Sequence, residues 1–251
     1  VVDAAGQHMA VTAVEPLSGG RARVSFVAPA IAPLSSATFR CRPGPALRRQ
    51  VLRTPRIESA RFRITADEHG VKEVYDKRLC RALLAPGAYR PFELVLEEDE
   101  GSPWATIKPS MERFPLAGLT KLVAARRCGP QQSLRFETDM NRLANHNGAR
   151  AWTTVTLTDG IERVDVATEV EWRACNMRLR VAMPVPAAGR HLYGIPYGAI
   201  ERKPYTPWFN WKAANGDWPA INWAGLEARG FSVAVLNRGL PSYRMEPGKP
   251  G

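Results

Sequence analysis

Long apolar runs are missing from this chain. No segment approaches the roughly 20 residues that cross a bilayer, and residues 1–10 lack the basic start and apolar stretch of a signal peptide. No membrane partner and a cytoplasmic location are therefore expected. Cysteine and histidine are few and scattered. Cys41, Cys80, Cys128 and Cys175 stand at least 39 positions apart, and His8, His69, His146 and His191 are equally dispersed. Without CxxC or HExxH, a zinc ribbon, a thioredoxin-like site and a zincin-type protease are excluded. The thiols read as buried and reduced, with one or two disulfides left open. Lysine is scarce too, seven of the 35 basic residues, so the net charge of +11 comes mainly from arginine. These arginines are interleaved with Ala, Pro and Gly, and no zinc-finger spacing, basic helix or RNP-like motif accompanies them. No nucleic-acid partner is expected, and an Arg-rich nucleic-acid binder stands only as a rival. Helical periodicity is also lacking, because 21 Pro and 20 Gly interrupt most windows. Residues 116–126 are the best short helix candidate.

Strand signals are what remain. Val164, Val166, Thr168, Val170 and Trp172 alternate with Arg163, Asp165, Glu169 and Glu171, as one inward and one outward face would. Met177, Leu179, Val181 and Met183 alternate with Arg178 and Arg180 in the same way, and the two runs together predict a hairpin. Further strands are predicted over 22–27, 59–66, 70–76, 92–96, 133–138, 151–157 and 231–236, each bounded by Gly, Pro, Asn or Asp. Many strands separated by turn signals, at 45% apolar and 24% charged residues, predict an all-β antiparallel β-sandwich rather than a Rossmann or TIM architecture. A boundary is expected within 41–57, where Pro43, Gly44, Pro45 and Pro55 sit among arginines. That divides the chain into 1–45, too short for a sandwich of its own, and 46–251. The chain is expected to be truncated at both ends.

Several segments, in one order, resemble the C-terminal β region of glycoside hydrolase family 38, the α-mannosidases. ESARFRITADEHGVKEVYDKRLCRALL (58–84) is similar to the family's strand, turn, strand and D-K-R element, and LVLEEDEGSPW (94–104) to its acidic loop ending in Trp. GIPYGAIERKP (194–204) resembles I-P-Y-G-x-I-E-R-P with Lys203 inserted, WPAINWAG (218–225) resembles P-A-x-x-W-x, and GFSVAVLN (230–237) resembles G-x-x-V-A-V-L-N. Residues 24–39 are similar to a strand pair of a smaller preceding sandwich. The resemblance implies a large antiparallel β-sandwich of the galactose mutarotase-like type, preceded by part of a smaller β-sandwich. It further implies a parent enzyme whose N-terminal catalytic domain carries a zinc ion and an Asp nucleophile, and which hydrolyses α-mannosidic bonds with retention.

Retention needs two carboxyl groups about 5–5.5 Å apart. No position here takes over the nucleophile or the zinc ligands, so neither a catalytic residue, a metal ligand nor a cofactor is assigned to this chain. Its expected role is non-catalytic: supporting the N-terminal catalytic domain of the same polypeptide and shaping the rim of a carbohydrate site, with homo-oligomer contacts besides. The alternative is a stand-alone carbohydrate-binding or scaffolding β-sandwich.

The rim candidates are Arg202, Tyr197, Asp99, Trp208 and Trp211. Arg202 offers several donors for sugar hydroxyls, or a salt bridge to Glu201 or another carboxylate. Tyr197 suits sugar stacking, or more plainly a buried hydrogen bond. Asp99 belongs to the acidic run Glu97, Glu98, Asp99 and Glu100, which reads as a solvated loop in contact with sugar or with the catalytic domain. Trp208 and Trp211 are expected to be exposed, whereas Trp104, Trp172 and Trp223 read as core.

Overall fold

A computed structural model describes residues 1–45, 47–98, 113–143, 149–204, 217–237, 239–240 and 242–246. Four short strands come first: β1 (Val2–Asp3), β2 (Val11–Pro16), β3 (Ala22–Phe26) and β4 (Phe39–Arg40), with β1 paired to β4 and β2 to β3. After β5 (Arg49–Val51), the strands β6 (Arg56–Glu58), β7 (Phe62–Asp67), β8 (Gly70–Asp76) and β9 (Arg81–Leu84) form an antiparallel sheet in chain order. Next come β10 (Leu94–Glu98) and β11 (Arg113–Pro115), then β12 (Thr120–Cys128), β13 (Gln131–Asp139), β14 (Arg150–Thr158) and β15 (Asp165–Glu171). These last four meander, and β5 adds to the far edge, giving β15-β14-β13-β12-β5. β16 (Met177–Val181) returns to β10 and makes the sheet β11-β10-β16. The remaining strands are β17 (Gly189–Ile195), β18 (Gly198–Glu201), β19 (Asp217–Pro219), β20 (Trp223–Ala228), β21 (Phe231–Leu236) and β22 (Ser242–Arg244). They form the sheet β18-β17-β20-β21 and the pair β19-β22.

Period-two patterning explains how these sheets stack. β13 turns Gln132, Leu134, Phe136 and Thr138 inward, and β14 turns Ala151, Thr153, Val155 and Leu157 inward, in register across the pair. Leu134, Phe136, Val155 and Leu157 pack on Ile57, Phe62, Ile64, Val71, Val74 and Leu84 of the β6–β9 sheet, which makes the sandwich core. Each such side chain contributes roughly 1.5–3 kcal/mol on burial. Val71 and Val74, three apart, both face in because a register shift at Thr65/Ala66 accommodates an extra residue in β8. A second core gathers Leu94, Leu96, Leu116, Met140, Ala149 and Ala151, so the β10 sheet packs beside the first sandwich layer. Asp76, fully buried, organises the D-K-R turn. It accepts the Arg78 and Leu79 backbone N–H groups at 2.8 and 3.0 Å and Arg61 Nε at 3.0 Å, while Lys77 pairs with Glu58. Burial alone would raise its pKa, but these donors hold it below the ordinary carboxylate value.

Four local expectations are corrected. Residues 116–126 are not a helix: a 3-10 turn, Ala117–Leu119, leads straight into β12. A bulge between Leu122 and Ala124 sets Leu122 and Ala125 on the core side, so an i, i+3 spacing arises within a strand. The predicted hairpin does not form either, since β15 pairs with β14 while β16 pairs with β10 in another sheet. Trp172 lies past the last register pair of an edge strand and is 38% exposed rather than core. The four cysteines are free, but Cys41, Cys80 and Cys175 are exposed and Cys128 is only half-buried.

Candidate functional site

The GIPYGAIERKP segment becomes the hairpin β17-β18. Ile195 pairs with Gly198, which leaves Pro196 and Tyr197 as a two-residue turn. Pro first and a positive φ second is the type II pattern, whose second position normally takes Gly. Here Tyr197 holds it, at φ 66°, with its ring wholly exposed. The buried hydrogen bond expected of Tyr197 is thereby corrected. Gly194 is required for a different reason: a Cβ there would drive into the Ile221 carbonyl and lie 2.7 Å from the Trp223 ring. Trp223, half-buried in β20, thus packs across the hairpin stem.

Arg202 follows β18 and is fixed from three sides. Its guanidinium lies 5.5 Å from the Tyr193 ring centroid and 4.9 Å from that of Trp218, and Nη1 donates to the Pro219 carbonyl at 3.2 Å. Its own backbone N–H donates to the His191 carbonyl at 3.1 Å. The expected salt bridge to Glu201 is not made, because Glu201 accepts Arg190 Nε at 2.8 Å on the opposite sheet face. Trp218 and Tyr193 belong to a third core with Ala220, Ala224, Tyr243 and Met245. Burial pushes the Tyr193 hydroxyl up to about 12 against the pull of Arg202. Gly189, His191, Glu201, Arg202, Lys203 and Pro204 line an open cleft of about 450 Å³. His191 is 8% exposed, and burial lowers its pKa against the opposing influence of Glu201, so its imidazole is neutral at pH 7.

What holds this corner in place was not anticipated from sequence. Glu97, read as part of a solvated loop, is 2% exposed. It accepts Arg113 Nε at 2.9 Å, Arg180 Nε at 2.8 Å and Arg244 Nη1 at 2.7 Å. Asp217, on β19 next to Trp218, accepts Arg178 Nη1 at 3.2 Å, Arg180 Nη2 at 2.5 Å and Ser242 Oγ at 2.8 Å. Arg178 and Arg180 therefore do not point to solvent; their face of β16 is covered by the β19-β22 pair. Burial would raise the Glu97 pKa, but Arg244 and Arg180 bring it down to about 2. The signal available in the sequence was the Arg-Leu-Arg alternation of β16, which fixed the periodicity and left open which face was covered.

Asp99, Trp208 and Trp211 lie outside the described residues, as do Glu100 and Trp104. Of the rim candidates, Arg202 and Tyr197 thus share one hairpin. Among the described residues, no group of three or more His, Cys, Asp or Glu side chains is placed to hold a metal ion, and no helix is long and apolar enough to cross a membrane.

The family model "Glycosyl hydrolases family 38 C-terminal domain" matches residues 57–243. The chain belongs to glycosyl hydrolase family 38. The family 38 match begins at Ile57, on β6, and ends at Tyr243, on β22, so it takes in the sandwich, the Glu97 cluster and the Arg202 corner. Two solved structures share the fold: an α-mannosidase from Enterococcus faecalis V583 (TM-score 0.68) and a family 38 protein from Enterococcus faecalis (TM-score 0.69). Each is 13% identical and matched over 97% of this chain, which spans only 32% and 33% of their lengths. Among curated proteins none matches the chain by sequence.

Proposed function

We propose that this chain is the non-catalytic, carbohydrate-rim portion of an α-mannosidase-like glycoside hydrolase. Residues 1–45 are then the remainder of a smaller sandwich and 46–251 the large one. The zinc ion and the nucleophile belong to a catalytic domain of the same polypeptide, which this portion supports. The observation that carries the proposal is Arg202: a guanidinium held between two aromatic rings and a backbone carbonyl keeps further N–H donors in a fixed plane beside a cleft. Preorganised donors of this kind suit a ligand with many hydroxyls, because little ordering cost remains at binding. Tyr197, at the hairpin tip, adds an exposed aromatic face for a sugar or for the catalytic domain. The proposal includes a cytoplasmic location, in keeping with four free thiols.

The test compares this chain with the polypeptide encoded by its complete reading frame on 4-nitrophenyl α-mannoside. Turnover is expected from the longer polypeptide alone, and Arg202→Ala in it is expected to lower kcat/KM by about tenfold, as for loss of one charge-assisted hydrogen bond. Hydrolysis by the 251-residue chain itself would overturn the non-catalytic assignment, and unchanged kinetics for Arg202→Ala would overturn the rim role.

A further inference from the structure

We propose that the cleft between β17 and the end of β18 binds an oxyanion, a phosphate, sulfate or carboxylate group, through Arg202 and Lys203. Both cations line the cleft, and among the described residues neither forms an ion pair. The nearby carboxylates are already engaged. Glu201 takes Arg190 Nε at 2.8 Å, and Arg190 Nη1 in turn reaches Glu227 at 3.0 Å. Asp217 is held by Arg178, Arg180 and Arg244. Elsewhere on the molecule arginines meet carboxylates repeatedly, as at Arg61, Arg90, Arg127, Arg135 and Arg163. In the cleft, two adjacent cations outside any ion pair outnumber the one carboxylate of the lining, Glu201, which Arg190 already engages.

The chemistry of the lining fits the same ligand. Arg202 uses one of its five N–H donors, on Pro219, and the two neighbouring rings help hold its intrinsically planar fork in place. A guanidinium so held presents donors in the geometry that oxyanions accept. The Lys203 carbonyl accepts Trp218 Nε1 at 3.1 Å, which fixes the backbone next to Arg202, and the Lys203 side chain is exposed at the cleft. His191 completes the floor. It is more than nine-tenths buried, and its Nδ1, closed off from solvent, has no hydrogen-bond partner within the protein. A cleft of about 450 Å³ accommodates a small anion and the monosaccharide that bears it. The oxyanion site rests on this geometry alone. That the anion is carried by a saccharide rests on the function proposed above.

Calorimetric titration of the 251-residue chain with inorganic phosphate, mannose 6-phosphate and mannose, each at low and high sodium chloride, tests the inference. Phosphate and mannose 6-phosphate are expected to bind with an affinity that falls as salt rises. Lys203→Met and Arg202→Met are each expected to weaken both by about tenfold, whereas Arg163→Met, in the bend that precedes the edge strand β15, leaves them unchanged. Lys203 is exposed, so its variant serves even if Arg202→Met fails to fold. Binding of mannose equal to that of mannose 6-phosphate, without salt dependence, would overturn the oxyanion site and leave the carbohydrate rim standing. No phosphate binding, or binding indifferent to Lys203→Met, also overturns it. Equal affinity for inorganic phosphate and mannose 6-phosphate supports the oxyanion site and removes the saccharide from it.

Discussion

Single residues in this chain carry conformations that their side chains would not choose alone. Tyr197 has a φ of 66° in a turn position where Gly is the usual occupant, and an L-residue there costs roughly 1–2 kcal/mol. Its ring makes no compensating burial, being fully exposed. Tyr197→Gly is expected to raise stability by about 0.5–1 kcal/mol, the relief of strain less the unfolded-state entropy of Gly, read as a higher Tm. If the exposed ring serves a partner or ligand, the same variant will be more stable and bind less well. That Arg202 and Tyr197 belong to one short segment was legible from GIPYGAIERKP. Their surroundings were not, because a salt bridge, a stacked guanidinium and an exposed turn aromatic all share one local sequence.

At the scale of elements, close backbone approach decides more than propensity. Gly194 lets β17 pass beneath Ile221 and Trp223, where a methyl group meets a carbonyl and an indole that cannot both withdraw. Gly194→Ala is expected to cost roughly 1–3 kcal/mol, measured by urea denaturation. Gly198, whose Cβ direction is open, is expected to tolerate Ala within about 0.5 kcal/mol. Strand 231–236 was readable to the residue because alternation and flanking turns agree there, and strand 70–76, despite its bulge, because turns bound it on both sides. β12 was not, because its bulge converts a period of two into a spacing of three and imitates one turn of helix. β15 and β16 were each recognised as strands, yet their partners lie in different sheets, and pairing leaves no mark on alternation itself.

At the scale of the whole molecule, the Glu97 and Asp217 cluster binds the β10 sheet to the β19-β22 pair and, through Trp218, to Arg202. Removing one member of such a buried ionic set leaves the others uncompensated, so Glu97→Gln is expected to cost about 3–5 kcal/mol. The sign of the pH dependence follows from the depressed pKa. Glu97 falls from 4.5 to about 2 on folding, so its contribution is full above about pH 4.5 and is lost as pH drops through about 2. Asp217, also lowered against its burial by Arg180, acts in the same direction. Denaturation midpoints should therefore decline steeply between about pH 4.5 and 2, and Glu97→Gln should flatten that decline. An equal slope in the variant would assign acid sensitivity to other carboxylates, Asp76 first among them.

The sequence by itself determined the all-β class, the places of nine strands, the family and the segment that carries Arg202 and Tyr197, because alternation, turn residues and local motifs are short-range properties. Only the tertiary structure decided that Glu97 is buried, that Arg178 and Arg180 point into a covered face, and that Arg202 stacks while Arg190 takes Glu201. Those outcomes depend on which sheet lies over which strand face. Residues as distant in the chain as Glu97 and Arg244 meet there, and a charge that reads as solvated becomes the centre of a buried cluster once another sheet excludes its water.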